Sequence, residues 1–285
     1  MTDRLIIGLL IVLCIAILWI LRYPSKATYL LALTLPLSPY IPLSKSAYAS
    51  REYIIFNLSD LIVLGLALSS FLGFCLQNRS YERYPLLKTN IAILIFYFIL
   101  LIITFIVRPI NESMFQLLYL CRYSLYLIIG FYVWRYLPVK DIEKYILILL
   151  FALLINSVYG IYEFINYLLQ GVFGVRANGF WGLILGAQLE PGISDPGNFA
   201  MYIAMSLLIN MFYISFMKPS GAKKTLAIIS LFLGFITLHM TMSRTEIVSF
   251  WIICLYLLLF MRSKSMHRMI MVSFLLTALA GLSLV

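Results

Sequence analysis

The sequence predicts an all-α fold, a polytopic bundle of transmembrane helices. Apolar residues make up 63% of the 285 residues and charged residues only 11%, whereas a soluble domain carries roughly 25% charged residues. The mean hydropathy is +1.01, and the apolar residues gather in long runs. A soluble enzyme has no interior that could bury this excess, so that class is excluded.

Ten apolar segments approach the length that a membrane-spanning helix needs, which is about 20 residues with a range of about 17–25. We expect them to form one membrane domain over residues 1–285. Pro36, Pro39 and Pro42 interrupt the second segment, which we interpret as a short helix followed by extended chain. The segments are 5–21, 27–43, 54–76, 90–107, 115–137, 145–168, 196–217, 225–242, 246–261 and 269–285.

The tenth segment runs to Val285 without a charged flank. A C-terminus usually reaches the aqueous phase with some charge. We therefore expect the chain to be the front part of a longer protein, with about twelve helices in total. The C-terminal outer loop and the last helices would then follow residue 285.

The basic residues indicate the orientation. Most of them fall in alternate connections between the apolar segments, namely 22–26, 79–88, 135–144, 218–224 and 262–268. The positive-inside rule places these connections in the cytoplasm, so the longest connection, residues 169–195, faces outward. This distribution also accounts for the net charge of +10, and no nucleic-acid partner is predicted.

Two charged residues stand inside apolar segments, Arg122 and Glu163. Each lies on the order of 10 Å from the outer end of its helix at 1.5 Å per residue. Asp60 is predicted at a similar depth. Charges in the bilayer are costly and by default suggest a functional site, here one that opens outward. The alternative is an Arg122–Glu163 ion pair that only fixes helix packing.

The glycine-rich outer loop carries Arg176, with Gly174 and Gly179 beside it. Glycine allows the backbone to approach a ligand closely, and a guanidinium group binds phosphate through two parallel hydrogen bonds. We therefore interpret Arg176 as a phosphate-binding candidate. A solvated arginine or a contact with lipid headgroups is the alternative.

Arg244 stands at a tight outer turn. Ser243 is predicted to cap the next helix and Glu246 to lie in its first turn, where a carboxylate is favourable. A cation at this positive helix end is mildly disfavoured, so Arg244 implies an anionic partner. That partner is either Glu246 or a bound phosphate.

No metal or cofactor is predicted. The two histidines, His239 and His267, fall on opposite sides of the predicted membrane, and no metal-ligand or nucleotide-binding motif occurs. We interpret His239 as a hydrogen-bonded structural residue. The four cysteines lie in apolar stretches and form no CxxC pair.

The outer loop contains the motif Arg176-Ala-Asn-Gly179-Phe180, and the tight turn contains Ser243-Arg244-Thr245. Together with the segment that begins at Pro196, these motifs resemble the O-antigen ligase and O-antigen polymerase superfamily of bacterial membrane glycosyltransferases. Arg176-Ala-Asn-Gly179-Phe180 resembles the arginine and glycine pattern of the family's outer loop. The segment from Pro196 through Asn198 to Ala200 resembles its proline-asparagine helix start. Ser243-Arg244-Thr245 resembles its serine-arginine turn after an apolar helix. The resemblance covers roughly residues 54–261.

The resemblance implies a metal-independent, inverting glycosyltransferase in the bacterial inner membrane, with its active site facing the periplasm or cell exterior. The donor would be a glycan on undecaprenyl pyrophosphate, and the acceptor lipid-linked or lipid A-core. Arg176 and Arg244 would be catalytic, because preorganised cations stabilise the leaving pyrophosphate. Gly179 and Asn198, which lie in the motifs, would bind substrate. Arg122 and Glu163 are further substrate-binding candidates because they are charges inside apolar segments, and Arg122 matches no motif of the family. The family's base is a histidine in a later outer loop.

Two other classes remain open. One is a transporter, such as a lipid-linked oligosaccharide flippase or a polysaccharide exporter, which also needs many helices and cavity-facing cations. Transporters commonly show internal repeats and broken helices near the membrane midplane, and this sequence shows no repeat. The other is a structural subunit of an export complex, in which Arg176 and Arg244 would be replaceable.

Overall fold

The computed structural model is predominantly helical. It describes residues 14–37, 40–45, 53–77, 129–171, 176–177, 179, 196–261 and 263–282, together with separate positions between 92 and 106. The chain divides into two compact units. The first comprises Met1–Leu35 and Ile41–Ile142, and the second Pro36–Tyr40 and Glu143–Val285.

Complete bounds are defined for eight α-helices in the described residues, fewer than the ten segments predicted. Residues 14–22 and positions between 92 and 106 are also helical but have no complete bounds. The helices are α1 (Pro24–Leu37), α2 (Leu58–Gln77), α3 (Ile129–Tyr136), α4 (Ile142–Leu169), α5 (Pro196–Phe212), α6 (Gly221–Met240), α7 (Arg244–Phe260) and α8 (Lys264–Leu282). A π-helical turn, Tyr213–Met217, extends α5.

A two-stranded sheet is the exception to the helical fold. Strand β1 (Tyr40–Lys45) pairs with strand β2 (Tyr53–Asn57). Helix α1 ends at Leu37, just before the proline-containing strand, so the prediction of a short helix followed by extended chain is confirmed. The sheet itself was not predicted.

In the first unit, the helical residues 14–22 pack with α1 and α2. Ile20, Leu31, Ile62 and Leu66 are among the buried residues of this core. Asp60 lies in the first turn of α2, so the prediction that it lies about 10 Å deep in its helix is wrong. A carboxylate in a first turn is stabilised by the positive end of the helix dipole.

In the second unit, α5 packs against α6, α7 and α8. Phe199, Ile203 and Leu207 of α5 are fully buried, as are Leu150 and Leu153 of α4. The close approach of α4 depends on Gly160, where a Cβ atom would lie 3.1 Å from Thr237 Cγ2 and 3.2 Å from Phe199.

Three helices in the described residues are long and apolar enough to cross a membrane: Val139–Leu169, Phe199–Met217 and Gly221–Met240. Many large apolar side chains on their surfaces are exposed, including Phe151, Met201 and Phe232. Such apolar helices indicate a membrane protein.

Candidate functional site

The described residues of the 176–179 segment, residues 176, 177 and 179, belong to the second unit and pack against its helices. Ala177 is fully buried, and its backbone N–H donates a hydrogen bond to the carbonyl oxygen of Met240 at 3.0 Å. Met240 is the last residue of α6. The segment therefore satisfies one of the carbonyl groups that a helix end leaves without a partner.

Gly179 provides a second backbone contact. Its N–H donates to Glu163 Oε2 at 3.0 Å. Glu163 lies six residues before the end of α4 at Leu169, which is about 9 Å at 1.5 Å per residue. A carboxylate acceptor makes this a charge-assisted hydrogen bond, stronger than a bond between neutral groups.

The backbone at Gly179 also requires glycine. Its φ angle is +58°, in the left-handed region, and an added Cβ would lie 2.4 Å from Asn156 Oδ1 and 2.5 Å from Phe199 Cε2. Asn156 and Phe199 are both fully buried. The segment thus fits into a space bounded by α4 and α5 that only a residue without a side chain can occupy.

The Arg244 turn, residues 241–244, joins α6 to α7. Met242 has a φ angle of +49°, and Ser243 is the N-cap of α7 with Glu246 in the first turn, as predicted. The Ser243 hydroxyl donates to Glu246 Oε2 instead of capping a backbone N–H. No ion pair joins Arg244 to Glu246, both of which the structure describes, and Arg244 is exposed.

The hydrogen bond from Ala177 to Met240 brings the two arginine-bearing segments to one end of the second unit. Arg176 directly precedes Ala177, and Arg244 follows Met240 by four residues. The side chains of both arginines are exposed. This end therefore has two arginines and the N-terminus of α7, groups that can bind an anion, as well as the carboxylates of Glu163 and Glu246.

His239 lies on α6 beneath this region. Its Nδ1 is 2.9 Å from the carbonyl oxygen of Phe235, and its ring stacks on Phe235 with centroids 5.6 Å apart. Its Nε2 is buried and has no hydrogen-bond partner among the described residues. The hydrogen bond agrees with the structural role predicted for this histidine.

The structure brings together some of the predicted site residues. Glu163 and Gly179 are in direct contact, and the segments of Arg176 and Arg244 meet at Met240. Asn198 is the third residue of α5. Arg122, and with it the predicted Arg122–Glu163 pair, lies outside the described residues.

Sequence reasoning missed Asn156 and Phe199, which bound the space at Gly179, and the carbonyl group of Met240. An asparagine beside a serine in an otherwise apolar helix is the one signal that could have drawn attention to Asn156. No cluster of three or more His, Cys, Asp or Glu residues that could hold a metal ion occurs in the described ranges.

No protein-family model, curated protein or solved structure matches the chain. Any functional proposal therefore rests on the residues and their geometry.

Proposed function

We propose that the protein is a membrane glycosyltransferase of the O-antigen ligase and polymerase type. It transfers a glycan from undecaprenyl pyrophosphate to the hydroxyl group of a lipid-linked or lipid A-core acceptor, without a metal ion. It acts in the bacterial inner membrane as a multi-pass protein, with its site facing outward. Arg176 and Arg244 bind the pyrophosphate and stabilise its charge as it leaves.

The observation that supports this proposal is the hydrogen bond of 3.0 Å between Ala177 N–H and the Met240 carbonyl. It gathers at one end of the unit two motifs that lie far apart in the sequence. Each motif contributes an exposed arginine. Since Glu246 is bonded to Ser243, the anion implied by Arg244 is supplied by the substrate in this proposal.

The experiment compares surface and lipid-linked glycans in cells that carry the wild-type protein, Arg176→Ala or Arg244→Ala. Arg268→Ala is the matched control, because Arg268 is an exposed arginine in α8, away from the Arg244 turn that begins α7. We expect both site variants to remain in the membrane and to lose glycan transfer by at least about 10²-fold. The control should match the wild type.

The glycan sizes also distinguish the subclasses. Single repeats on the acceptor in the site variants would identify a polymerase, and long chains retained on the lipid carrier a ligase. A normal size profile in Arg176→Ala and Arg244→Ala, at wild-type protein levels, would contradict the proposal and favour a transporter or a structural subunit.

A further inference from the structure

We propose that Glu163 is a positioning residue that holds the 176–179 segment in place through its carboxylate oxygen. Its part in glycan transfer, through Arg176, rests on the proposed function above. The role differs from the substrate-binding role expected from the sequence, since Oε2 of Glu163 is bonded to the backbone of the protein itself.

Two backbone hydrogen bonds anchor the segment to two different helices. Ala177 N–H is bonded to Met240 of α6 and Gly179 N–H to Glu163 of α4, each at 3.0 Å. Ala177 and Gly179 are both buried. A buried N–H that loses its acceptor keeps its full desolvation cost, so removing the Glu163 acceptor destabilises the docked segment.

Arg176 lies one residue before Ala177, the first anchored residue of the segment. The direction of that side chain is set by a backbone fixed at Ala177 and again at Gly179. If the Gly179 anchor is lost, Arg176 keeps its charge, but only the bond between Ala177 and Met240 still holds its backbone, so its side chain is placed less precisely. Transfer by a misplaced charge falls steeply, because electrostatic catalysis depends on preorganised groups.

Substitutions of Glu163 by glutamine and by alanine separate the effect of hydrogen bonding from the effect of charge. Glutamine has the length of glutamate and keeps an acceptor oxygen, but it carries no negative charge. A positioning role therefore survives in part in Glu163→Gln and is lost in Glu163→Ala. A role that depends on the charge itself, toward substrate or toward another residue, is lost in both variants.

The test uses trypsin on the purified full chain in detergent. Arg176 is the only Lys or Arg between residues 169 and 195, so cleavage after it gives a unique fragment. The bond to be cut joins an exposed residue to the buried Ala177, and a protease needs this stretch to open locally. Arg176→Ala identifies the fragment by abolishing it.

We expect Glu163→Ala to be cleaved at this bond about tenfold faster than the wild type, the effect of losing one charge-assisted hydrogen bond. Glu163→Gln keeps a weaker, neutral hydrogen bond and should be cleaved at a rate between those of the wild type and Glu163→Ala. Ile165→Ala, an exposed apolar position on the same helix, is the control and should match the wild type. An unchanged rate in Glu163→Ala, or an equally raised rate in Glu163→Gln, would overturn the proposal.

Glycan transfer in cells carrying the same variants completes the test. We expect transfer to fall in Glu163→Ala and to be partly rescued in Glu163→Gln. The cleavage rates do not depend on any activity, so they test the positioning role by themselves. If the Glu163 variants show the expected cleavage rates but Arg176→Ala transfers glycan normally, the proposed function is contradicted. The positioning role of Glu163 is supported by the same result.

Discussion

At the scale of single residues, three positions of the candidate site have distinct environments: Gly179, Glu163 and Arg244. Gly179 combines a left-handed backbone with contacts that leave no room for a Cβ atom. Glu163 is bonded to that glycine. Arg244 is exposed and not ion-paired to Glu246, the acidic residue in its own first turn. We therefore expect substitutions at Gly179 and Glu163 to disturb the 176–179 segment.

Gly179→Ala should displace the 176–179 segment, because the new Cβ would lie within 2.6 Å of Asn156 and Phe199 atoms. Overpacking of this kind typically costs about 1–3 kcal/mol, in addition to the strain of a positive φ. We expect faster trypsin cleavage after Arg176 and loss of glycan transfer.

Gly171→Ala is the matched control for this prediction. Gly171 also has a positive φ, +73°, but a Cβ there would meet nothing within 4 Å. It should therefore show only the smaller strain effect, with cleavage after Arg176 and transfer close to wild type. Equal behaviour of the two alanine variants would show that the contacts with Asn156 and Phe199 do not constrain the segment.

At the scale of helices, polar side chains join apolar helices at a few points. Asn210 of α5 donates through Nδ2 to the Ala227 carbonyl of α6 at 2.8 Å and to Ser230 Oγ at 3.0 Å. Thr237 of α6 donates to the Ser157 carbonyl of α4 at 3.2 Å. Interhelical hydrogen bonds of this type supplement close packing, which is the main source of helix association in membranes.

Asn210→Ala should weaken the contact between α5 and α6. The expected loss of stability is about 1 kcal/mol, in the range measured for hydrogen bonds between membrane helices. Thermal unfolding of the purified protein in detergent measures it as a lower Tm. Ile209→Ala, at the exposed neighbouring position, is the control, and an equal fall in both variants would argue against the hydrogen bonds.

At the scale of the whole chain, two glutamates of α4 make polar contacts on either side of the middle of the helix. Glu143 pairs with Lys223 of α6 at 2.9 Å and accepts a hydrogen bond from Tyr213 at 3.1 Å, and Glu163 holds Gly179. The 20 residues between the two glutamates correspond to about 30 Å of helix, close to the thickness of the hydrocarbon core. The positive-inside rule predicts that the end with Glu143 and Lys223 is cytoplasmic.

This orientation predicts opposite labelling of two exposed positions. Lys224, near the start of α6, should be cytoplasmic, and Thr245, at the start of α7, should face outward. In a chain without its native cysteines, Thr245→Cys should react with a membrane-impermeant maleimide added to spheroplasts, and Lys224→Cys only after the membrane is opened. The reverse labelling pattern would contradict the predicted orientation, because Arg176 and Arg244 would then face the cytoplasm.

Local features of the chain could be predicted from its sequence. The start of α5 at Pro196 and the N-cap Ser243 follow from residues next to the helix boundary. The end of α1 follows from nearby prolines. Asp60 was misplaced because the boundary of α2 at Leu58 has no comparably clear local signal.

The contacts that build the candidate site could not be predicted in the same way. Ala177 and Met240 are 63 residues apart, and the bond between them depends on how three helices pack. The sequence identified both Glu163 and Gly179 as candidate site residues, but it did not predict the hydrogen bond between them. Backbone hydrogen bonds carry no side-chain signature in the sequence, so only the folded chain reveals which arginine segments meet.

The most direct test of the central claim is the release of lipid pyrophosphate. In the proposed reaction, each transfer would break the bond between glycan and pyrophosphate, join the glycan to the acceptor oxygen, and free one undecaprenyl pyrophosphate and one proton. Membrane vesicles from cells carrying the protein are supplied with labelled lipid-linked glycan and acceptor. We expect release in step with glycan transfer, lost in Arg176→Ala and Arg244→Ala and retained in Arg268→Ala. Wild-type vesicles that move glycan without releasing the pyrophosphate would contradict the account.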